Sequence, residues 1–407
     1  MQNVKPTSAM QPDRTSPLIL TINGGSSSIK FAVFTAGDSL QRILTGQVER
    51  IGNPDAQLIV TRIGTAEVDR QPIQAETHQK AAESIAGYIE QHFGSDAIAA
   101  IGHRVVHGGI HLLEHQLITP EVIAELRRTQ AMDRSHLPRE IALIEAFAKA
   151  FPARPQIACF DTAFHRDLPR VSRLLPIPRR FTDAGIRRFG FHGLSYTYLM
   201  DRLTTLTGPE AAKGRIILAH LGAGASMSAV HGGKPVDTTM AFTPTAGLVM
   251  ATRPGDLDPG LLIYLMRQQK MSADDMDTFL SQQCGLLGIS QTSGDMRDLL
   301  AARAVDPRAA EAVDLFCHQA KKHLCALTAT LGGLDTIVFA GGIGEHAPEI
   351  REGICDGLEF LGLKMDASKN KRGGDIVSAD SSRITIRIIP TDEEIVIVRI
   401  IRSILGH

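Results

Sequence analysis

The sequence lacks the features that would place the protein in a membrane, on nucleic acid or in an oxidising compartment. No apolar run approaches the roughly 20 residues that a membrane-spanning helix needs. Positive and negative side chains almost cancel, giving a formal net charge of −1, so we expect no attraction to nucleic acid or to an anionic membrane surface. The five cysteines form neither a CxxC pair nor an even set, a pattern that suits a reducing cytosol. These absences predict a cytoplasmic protein.

Two common nucleotide-binding signatures and a secretion signal are also missing. The glycine-rich segments match neither GxGxxG nor GxxxxGK[ST], so neither a Rossmann cofactor nor a P-loop is indicated. The first 17 residues contain three prolines but no apolar core, which predicts a flexible tail rather than a signal peptide.

Length and alternating patterns indicate an α/β protein of two domains. A chain of 407 residues, 43 % of them apolar, exceeds what one hydrophobic core usually supports. Apolar runs that end in glycines predict strands, and apolar residues at helical spacing predict helices. The predicted strands are Leu18–Ile22, Ile29–Phe34, Ala97–Val106, Ile216–Ala219 and Asp335–Ala340. The predicted helices cover 77–93, about 138–151, 307–331 and about 391–405.

Three glycine-rich turns follow predicted strands and give the first indication of a binding function. They lie around Gly24, Gly222 and Gly341. Glycine lets backbone N–H groups approach phosphate oxygens without a Cβ in the way. One such turn alone is more often only a tight connection, whereas three in one chain favour phosphate binding.

The first two turns also belong to a candidate internal repeat. The segment LILTINGGSSSI lies over IILAHLGAGASM at a constant offset of 198 residues, which aligns Gly24 with Gly222 and Ser28 with Ser226. Two strand–turn–strand units so far apart predict a duplicated fold with a site between its halves.

A series of histidines recurs every four residues, which on a helix would imitate a metal site. Two adjacent glycines interrupt the series and its flanks are strand-like, so we do not predict zinc there. The histidines are His103, His107, His111 and His115.

Two arginines and two adjacent acids allow more than one interpretation. Arg104 and Arg253 could be solvated or paired with a carboxylate, but guanidinium groups also match the anions of phosphoryl transfer to an acid. Thr391 and Glu394 have the spacing of a helix capping box. That box would leave Glu393 free, so a magnesium role for Glu393 stays open.

Nine segments, taken in order from about residue 18 to about residue 400, resemble the acetate kinase family. They are INGGSSSIKF, GHRVVHGG, CFDTAFH, RRFGFHGLS, AHLGAGAS, VDTTMAFTPTAGLVMATRPGDLDPG, GISQTSGDMRDL, FAGGIGE and IPTDEE. The family belongs to the acetate-and-sugar-kinase/actin superfamily. The resemblance therefore implies an α/β fold of two lobes, each with a ribonuclease-H-like core as in actin-like ATPases, and an active-site cleft between the lobes.

The resemblance also implies an activity and a division of the chain. The implied enzyme is a phosphotransferase with a carboxyl group as acceptor, which converts acetate to acetyl phosphate by reversible, direct in-line transfer from ATP. ATP or ADP would be the co-substrate, Mg²⁺ (or Mn²⁺) the metal, and a homodimer the assembly. The implied division is a tail at 1–17, an N-terminal lobe at 18–161 plus 394–407, and a nucleotide-binding lobe at 162–393.

Site residues are carried over from the matching motifs, as the resemblance implies them. The implied catalytic residues are Arg104, Asp161, His192 and Arg253, with Asp161 as acid/base or orienting carboxylate. The implied substrate-binding residues are Arg104, Val106, His136, Phe191 and Pro244. The implied metal ligands are Asn23 and Glu393. The implied ATP-binding residues are Ser26, Ser28, Lys30, His220, Leu221, Gly222, Ala223, Gly224, Asp295, Met296, Arg297, Gly341, Gly342, Ile343, Gly344 and Glu345.

The chemistry is consistent with such a site, although other interpretations remain. A carboxylic acid with a pKa of ~4–5 is already ionised at neutral pH, so catalysis requires only positioning and charge neutralisation. Asp161 could instead pair with an arginine, and His192 could be a core histidine. A kinase for propionate or another short acid is a second hypothesis. An actin-like nucleotide switch or chaperone ATPase without acyl transfer is a third, which the two retained arginines disfavour.

The sequence departs from the family pattern at several places that bear on rate and on the preferred acid. Ala223 stands where the family usually has asparagine in the second glycine turn. Ser135 stands where an apolar residue is common beside the acid. The other departures are Gly24, Leu194, Tyr196 and His346.

Overall fold

The computed structural model describes residues 17–37, 39–65 and 67–406, so the predicted tail lies outside the described residues except for Pro17. The strands are β1 Leu18–Gly24, β2 Ile29–Thr35, β3 Arg42–Glu49, β4 Gln57–Arg62, β5 Val68–Pro72, β6 Ile98–Val105, β7 Gln116–Leu117, β8 Gln156–Phe160, β9 Ile216–Leu221, β10 Ala225–His231, β11 Lys234–Thr238, β12 Thr336–Ala340 and β13 Thr385–Ile388. The helices are α1 His78–Phe93, α2 Pro120–Thr129, α3 Leu137–Ala150, α4 Arg170–Arg173, α5 Arg179–Asp183, α6 Gly193–Thr207, α7 Pro259–Gln269, α8 Ala273–Thr278, α9 Gly285–Ser290, α10 Met296–Ala302, α11 Pro307–Thr330, α12 Gly341–His346, α13 Pro348–Cys355, α14 Ala367–Arg372 and α15 Glu393–Leu405.

The predicted strands and helices are confirmed to within a few residues, and the α/β class with them. The chain forms two compact units, one ending at Asp161 and resuming at Glu393, the other spanning Thr162–Asp392. Glu393 lies in the first unit, whereas the sequence-based division ended the second lobe at residue 393. The reason is that Glu393 opens α15, which packs on β1 and β6.

The first unit is built on a mixed sheet with the strand order β5-β4-β3-β2-β1-β6-β8-β7. Strands β1 to β5 follow one another as antiparallel neighbours, while β1, β6 and β8 run parallel. Helices α1 and α3 cover one face, where β1, β2 and both helices contribute to a continuous apolar core. Helix α15 packs closely on β6, because Gly102 has no Cβ, which would lie 2.3 Å from Ile397 Cγ2.

The second unit is built on a five-stranded sheet with the order β11-β10-β9-β12-β13. Its antiparallel pairs join β9, β10 and β11, and its parallel pairs join β9, β12 and β13. Helix α6 packs against one part of this sheet through an apolar cluster that includes Tyr196 and Leu199. The long helix α11 also contacts β9 and β10.

The predicted duplication is confirmed as a shared topology, but the predicted register is wrong beyond the first strand. Asn23 pairs with Lys30 across the first hairpin, and its counterpart Leu221 pairs with Ala225 across the second. Six residues separate the first pair and three separate the second. The constant offset therefore holds for β1 and β9 but not for β2 and β10, because the second turn is shorter, and Ser226 does not correspond to Ser28.

The predicted capping box at Thr391 and Glu394 is also wrong. Helix α15 begins at Glu393, so Glu394 lies one position too early for the box. The Thr391 N–H, which Glu394 would have accepted, donates instead to Glu345 Oε1 at 3.1 Å. The Thr391 hydroxyl lies 2.8 Å from Ser195 Oγ.

Three of the four histidines in the four-residue series have separate local partners. His103 Nε2 lies 2.5 Å from Gln156 Oε1, and His107 Nδ1 accepts the Gly109 N–H at 2.8 Å. His115 Nδ1 accepts the Phe160 N–H at 3.0 Å.

Among the described residues, no helix combines the length and the apolar character that crossing a membrane requires. All five cysteines are free thiols.

Candidate active site

In the first unit, the parallel strands bring three predicted site residues to the same edge of the sheet. Asn23 lies near the end of β1, Arg104 near the end of β6, and Asp161 directly after β8. The carboxyl ends of neighbouring parallel strands form the edge where α/β proteins usually bind ligands. Glu393 joins them from the first turn of α15, which lies across β1 and β6.

These four residues form one charged network centred on Arg104. The guanidinium donates to Asp161 Oδ2 through Nη2 at 2.5 Å and through Nε at 3.1 Å. Its Nη1 donates to Asn23 Oδ1 at 3.2 Å, and the Asn23 amide donates to Glu393 Oε2 at 2.9 Å. Arg104 Nε lies 3.8 Å from the same Glu393 oxygen. Sequence spacing left open whether Asp161 pairs with an arginine, and the structure shows that it does.

The electrostatics of the network fix Arg104 as a permanent cation. Burial by itself would lower the pKa of the guanidinium, but the carboxylates of Asp161 and Glu393 outweigh that effect and raise it. Asp161 is fully buried, while the Arg104 side chain is 16 % exposed. The arginine is therefore held by a buried carboxylate on one side and retains an exposed portion for an anion.

Val106 and His136 lie in the same unit, and each forms a hydrogen bond with a buried acid. Both oxygens of Glu140 accept the Val106 N–H, at 3.1 and 3.2 Å. Burial raises the pKa of the Glu140 carboxyl well above its usual value, and the Asp133 carboxylate adds to the rise, while Arg104 opposes it. His136 Nδ1 lies 2.9 Å from Asp133 Oδ1, and Ser135 Oγ donates to the same oxygen at 3.0 Å.

The first glycine turn is open to solvent on its polar side. Ser26 and Lys30 are exposed, and Ser28 is half-buried. Gly24 is buried, and a Cβ there would lie 2.7 Å from Leu143 Cδ1. The departure to glycine at position 24 thus allows Leu143 of α3 to pack closely behind the turn.

In the second unit, two predicted histidines stand side by side at the second glycine turn. The rings of His192 and His220 stack with their centroids 4.3 Å apart. His192 has a left-handed backbone, with φ at 59°, directly before α6. Such strain in a residue other than glycine persists only where the surroundings enforce it, and it clusters at functional sites.

Arg253 approaches the same turn from the loop after β11. A Cβ built on Gly224 would lie 2.8 Å from Arg253 Nη2 and 3.2 Å from His192 Nε2. Arg253 Nη1 donates to the carbonyl oxygen of Pro244 at 2.6 Å. Glycine at position 224 therefore keeps the space in front of a guanidinium and an imidazole clear. Phe191 and Pro244 are buried in this unit.

The other predicted nucleotide segments of the second unit are helix starts. Asp295 caps α10 by accepting the Arg297 N–H at 2.9 Å, and it forms an ion pair with the exposed Arg297. Buried Met296 lies between them. Helix α12 carries Gly341, Gly342, Ile343, Gly344 and Glu345. The Glu345 carboxylate accepts the Gly341 N–H at 2.8 Å in addition to that of Thr391, so it ties the third glycine turn to the segment before α15.

Sequence reasoning missed several polar residues that hold the site in place. Ser195, Ser226 and Tyr196 bond to the two histidines or to one another, and Glu140 supports Val106. The sequence marked Tyr196 only as a departure from the family pattern and gave no role for it, although it lies four residues after His192, which directly precedes α6. No sequence signal connects Ser226 with His192, because their contact depends on how β10 packs against α6.

Comparison with known proteins agrees with this description. The chain is 43 % identical to an acetate kinase from Rhodopseudomonas palustris over 94 % of its own length and 97 % of the relative's. A solved acetate kinase structure from Porphyromonas gingivalis matches with a TM-score of 0.84 and 34 % identity, covering 96 % of this chain and all of that one. A propionate kinase structure from Francisella tularensis matches with a TM-score of 0.88 and 33 % identity, covering 94 % of this chain and 98 % of that one.

The fold, the two duplicated sheets and these matches define the class of protein, which is the α/β class with the two-domain actin-like ATPase fold. The family match is equally extensive, because residues 18–399 match the Acetokinase family. The chain belongs to that family.

Proposed function

We propose that this protein transfers the γ-phosphoryl group of ATP to acetate, reversibly and by direct in-line displacement, to give acetyl phosphate and ADP. The observation that carries the proposal is the Arg104 network, a fixed cation at the strand ends of a chain that belongs to the Acetokinase family. A guanidinium that is held in place by a buried carboxylate can bind an anion through its exposed portion.

In the first unit, Arg104 would bind the carboxylate of the acid, and Asp161 would keep the guanidinium in place. Asp161 accepts two of its N–H groups through one oxygen. An orienting carboxylate suits this chemistry better than a base, because the acid is already ionised at neutral pH. Val106 would contact the acyl group from the same edge, with His136 nearby.

In the second unit, His192 and Arg253 would neutralise the charge of the transferring phosphoryl group. Both reach the second glycine turn, where Gly224 leaves room in front of their nitrogen atoms. The backbone of Gly222–Gly224 would bind phosphate oxygens. Segments 295–297 and 341–345 would bind the rest of the nucleotide.

The residues of the first unit also fit Mg²⁺. Glu393 and Asn23 lie side by side, 2.9 Å apart between Oε2 and Nδ2, and they offer a carboxylate and an amide oxygen. Mg²⁺ prefers oxygen donors and usually takes only one or two carboxylates, completing its shell with water and substrate phosphates. When bound, the ion would neutralise charge on the phosphates. We expect Glu393→Gln to raise the Mg²⁺ concentration needed for half-maximal rate.

Propionate or another short acid is the second candidate substrate. The structure named as a propionate kinase matches this chain as well as the acetate kinase structure does, so overall similarity does not discriminate between the two acids. Ser135, the polar residue beside His136, is the feature of this chain most relevant to the choice.

A hydroxamate assay across acetate, propionate and butyrate tests the proposal. Purified protein with ATP and Mg²⁺ should form acyl phosphate, trapped by hydroxylamine, with the highest kcat/KM for acetate. A higher value for propionate would establish the second candidate. ATP hydrolysis without any acid-dependent hydroxamate would contradict both.

A homodimer and a cytoplasmic location complete the proposal. The first is supported only by membership of the family, and the second by the scattered free thiols. Light scattering on the purified protein would give the mass in solution, and a mass of one chain would contradict the dimer.

A further inference from the structure

A buried chain of hydroxyl groups leads to the His192 ring. Tyr196 OH lies 2.5 Å from Ser226 Oγ, which lies 2.8 Å from His192 Nδ1. Tyr196 and Ser226 are fully buried and His192 is 8 % exposed. Tyr196 is one helical turn beyond His192 on α6, and Ser226 reaches both from β10.

A second chain of the same kind leads to the neighbouring ring. Thr391 Oγ1 lies 2.8 Å from Ser195 Oγ, which in turn lies 2.8 Å from His220 Nδ1. The two imidazoles therefore stack on each other while each is anchored through the same ring nitrogen. In both rings the opposite nitrogen, Nε2, is the one that lies towards the glycine turn.

The Nε2 atoms do lie beside that turn. A Cβ built on Gly224 would be 3.2 Å from His192 Nε2, and one built on Gly222 would be 3.9 Å from His220 Nε2. A neutral imidazole carries a proton on one nitrogen and accepts at the other, and its partner decides which. If Ser226 donates its proton to Nδ1, the proton of the ring must be on Nε2.

The Tyr196 hydroxyl is suited to determine which nitrogen of the His192 ring carries the proton. Its hydroxyl can donate to Ser226 Oγ, which leaves the Ser226 proton directed at His192 Nδ1. In that orientation the Tyr196 hydroxyl, the Ser226 hydroxyl and the His192 ring form one continuous chain of hydrogen bonds at a buried site, where polar groups need partners. Tyr196, one of the departures from the family pattern, is therefore the residue of this chain to test.

We propose that Tyr196 and Ser226 are positioning residues that hold His192 in its Nε2–H tautomer, with that N–H directed at the second glycine turn. There it donates to the transferring phosphoryl group. The inference rests on the proposed function only in taking a phosphoryl group as the acceptor. The orientation and tautomer of the ring are properties of the protein by itself.

Tyr196→Phe is the primary test, because it removes one oxygen and keeps the ring that packs on His165. Losing the bond that orients Ser226 should lower kcat roughly tenfold, equivalent to about 1.4 kcal/mol in the activation free energy, with the KM values for ATP and acetate changed less than twofold. Ser226→Ala should lower kcat at least as much. Circular dichroism confirms that each variant is folded.

The tautomer gives a readout that does not depend on activity. In protein labelled with ¹⁵N-histidine, long-range ¹H–¹⁵N spectra distinguish protonated from unprotonated ring nitrogens, and His192→Gln identifies the His192 signals. Wild type should show a protonated Nε2 and an unprotonated Nδ1. Tyr196→Phe and Ser226→Ala should show a mixture of tautomers or the opposite one.

Two matched controls come from the same elements. Ser228 lies two residues beyond Ser226 on β10 and its hydroxyl is 3.1 Å from Nε2 of a different histidine, His165. Tyr198 lies on α6, two residues beyond Tyr196, and packs against the apolar cluster. Ser228→Ala and Tyr198→Phe should leave the His192 signals unchanged and kcat within twofold.

The outcomes separate this inference from the proposed function. Wild-type kcat and unchanged His192 signals in both Tyr196→Phe and Ser226→Ala would overturn the inference. An Nδ1–H tautomer in wild type would overturn it as well. If wild type forms no acyl phosphate but the tautomer shifts as expected, the positioning role stands and the proposed function fails.

Discussion

The two units use the same five-strand topology but assemble different chemistry at corresponding places. The order β3-β2-β1-β6-β8 in the first unit repeats as β11-β10-β9-β12-β13 in the second. In the first, strand ends carry charged side chains, Arg104 and Asp161, joined by Glu393. In the second, the shorter turn carries glycine and alanine, and His192 and Arg253 reach it from other segments.

The comparison shows that the length of the turn determines whether its polar side chains belong to the turn itself or to neighbouring segments. In the first hairpin six residues lie between the paired residues Asn23 and Lys30, and Ser26, Ser28 and Lys30 lie in or beside the turn. The second has three, Gly222, Ala223 and Gly224, and the Ala223 carbonyl is bonded to the Ala251 N–H at 3.0 Å. Under the proposed function, a turn with so few side chains would depend on its backbone and its neighbours to bind phosphate.

The largest effects should come from removing the arginine of each unit. Arg104→Ala and Arg253→Ala should each lower the rate of acetyl phosphate formation roughly 10²-fold or more, because each removes a donor directed at transition-state charge. Their effects on stability should differ. Arg104→Ala leaves Asp161 buried without its cation, at a cost of about 3–5 kcal/mol, whereas Arg253→Ala loses a bond to a neutral carbonyl, about 1 kcal/mol.

Acetyl phosphate assays and thermal melts of both variants measure these differences. Arg104→Lys keeps the charge and controls for unfolding. Arg215→Ala is the matched control in the second unit, since Arg215 forms a half-exposed ion pair with Asp335, and ion pairs near the surface contribute little to stability. Near wild-type rates in both alanine variants would show that the two arginines are not the charged centres of the units.

Ala223→Asn tests whether the second turn lacks a donor. The Ala223 side chain is exposed, so an asparagine can be placed there without a clash with the core. Its amide could donate to the transferring phosphoryl group, and we expect kcat to rise by up to ~10²-fold with little change in the KM for ATP. Steady-state kinetics of the variant and of Ala223→Ser, a shorter control, measure the effect. No gain would mean that His192, Arg253 and the backbone already supply what the turn needs.

Glu345→Ala should have a smaller effect, mainly on stability. Its carboxylate accepts the N–H groups of Gly341 and Thr391 through one shared oxygen, and a hydrogen bond to a charged acceptor contributes about 1.5–3 kcal/mol net. We expect a loss of about 2 kcal/mol and a raised KM for ATP. Glu394→Ala should lower stability less than Glu345→Ala, because Glu394 lies one position too early for the predicted capping box.

Thermal melts decide this prediction, with the exposed Glu349 on α13 mutated to alanine as the surface control. A greater loss in Glu394→Ala than in Glu345→Ala would restore the capping box and contradict the bonding of Thr391 described above.

The sequence was sufficient for elements and motifs, and insufficient for contacts that depend on register. Alternating apolar runs ending in glycine located β1, β6, β9 and β12 to within a few residues, because each is a buried strand with a turn signal after it. The offset of 198 identified the duplication but misaligned Ser226, since an alignment without gaps cannot detect a turn that is three residues shorter.

At the candidate site, too, the sequence located the residues but not the contacts between them. Motifs located Arg104, Asp161, His192 and Arg253, but nothing in the sequence paired Arg104 with Asp161, which are 57 residues apart. The hydroxyl chain to His192 was missed for the same reason. Serine and tyrosine are common residues whose role becomes visible only when β10 and α6 are packed together.

The smallest effect should come from Ser135 in the first unit, where the site is charged and the acid is expected to bind. Its hydroxyl donates to Asp133 Oδ1 and lies 2.8 Å from His136 Nδ1, so it holds a polar turn where the family often has an apolar residue. Ser135→Leu should favour the smaller acid, because leucine adds bulk and removes a polar atom. A methylene group contributes about 1–3 kcal/mol to such discrimination, so we expect a shift of the acetate-to-propionate ratio of kcat/KM by about tenfold at most. Ser135→Ala, which removes the hydroxyl without adding bulk, separates the loss of the Asp133 bond from the change in shape. If the ratio is the same in wild type, Ser135→Ala and Ser135→Leu, Ser135 does not contact the acid, and its bonds to Asp133 and His136 are its whole role.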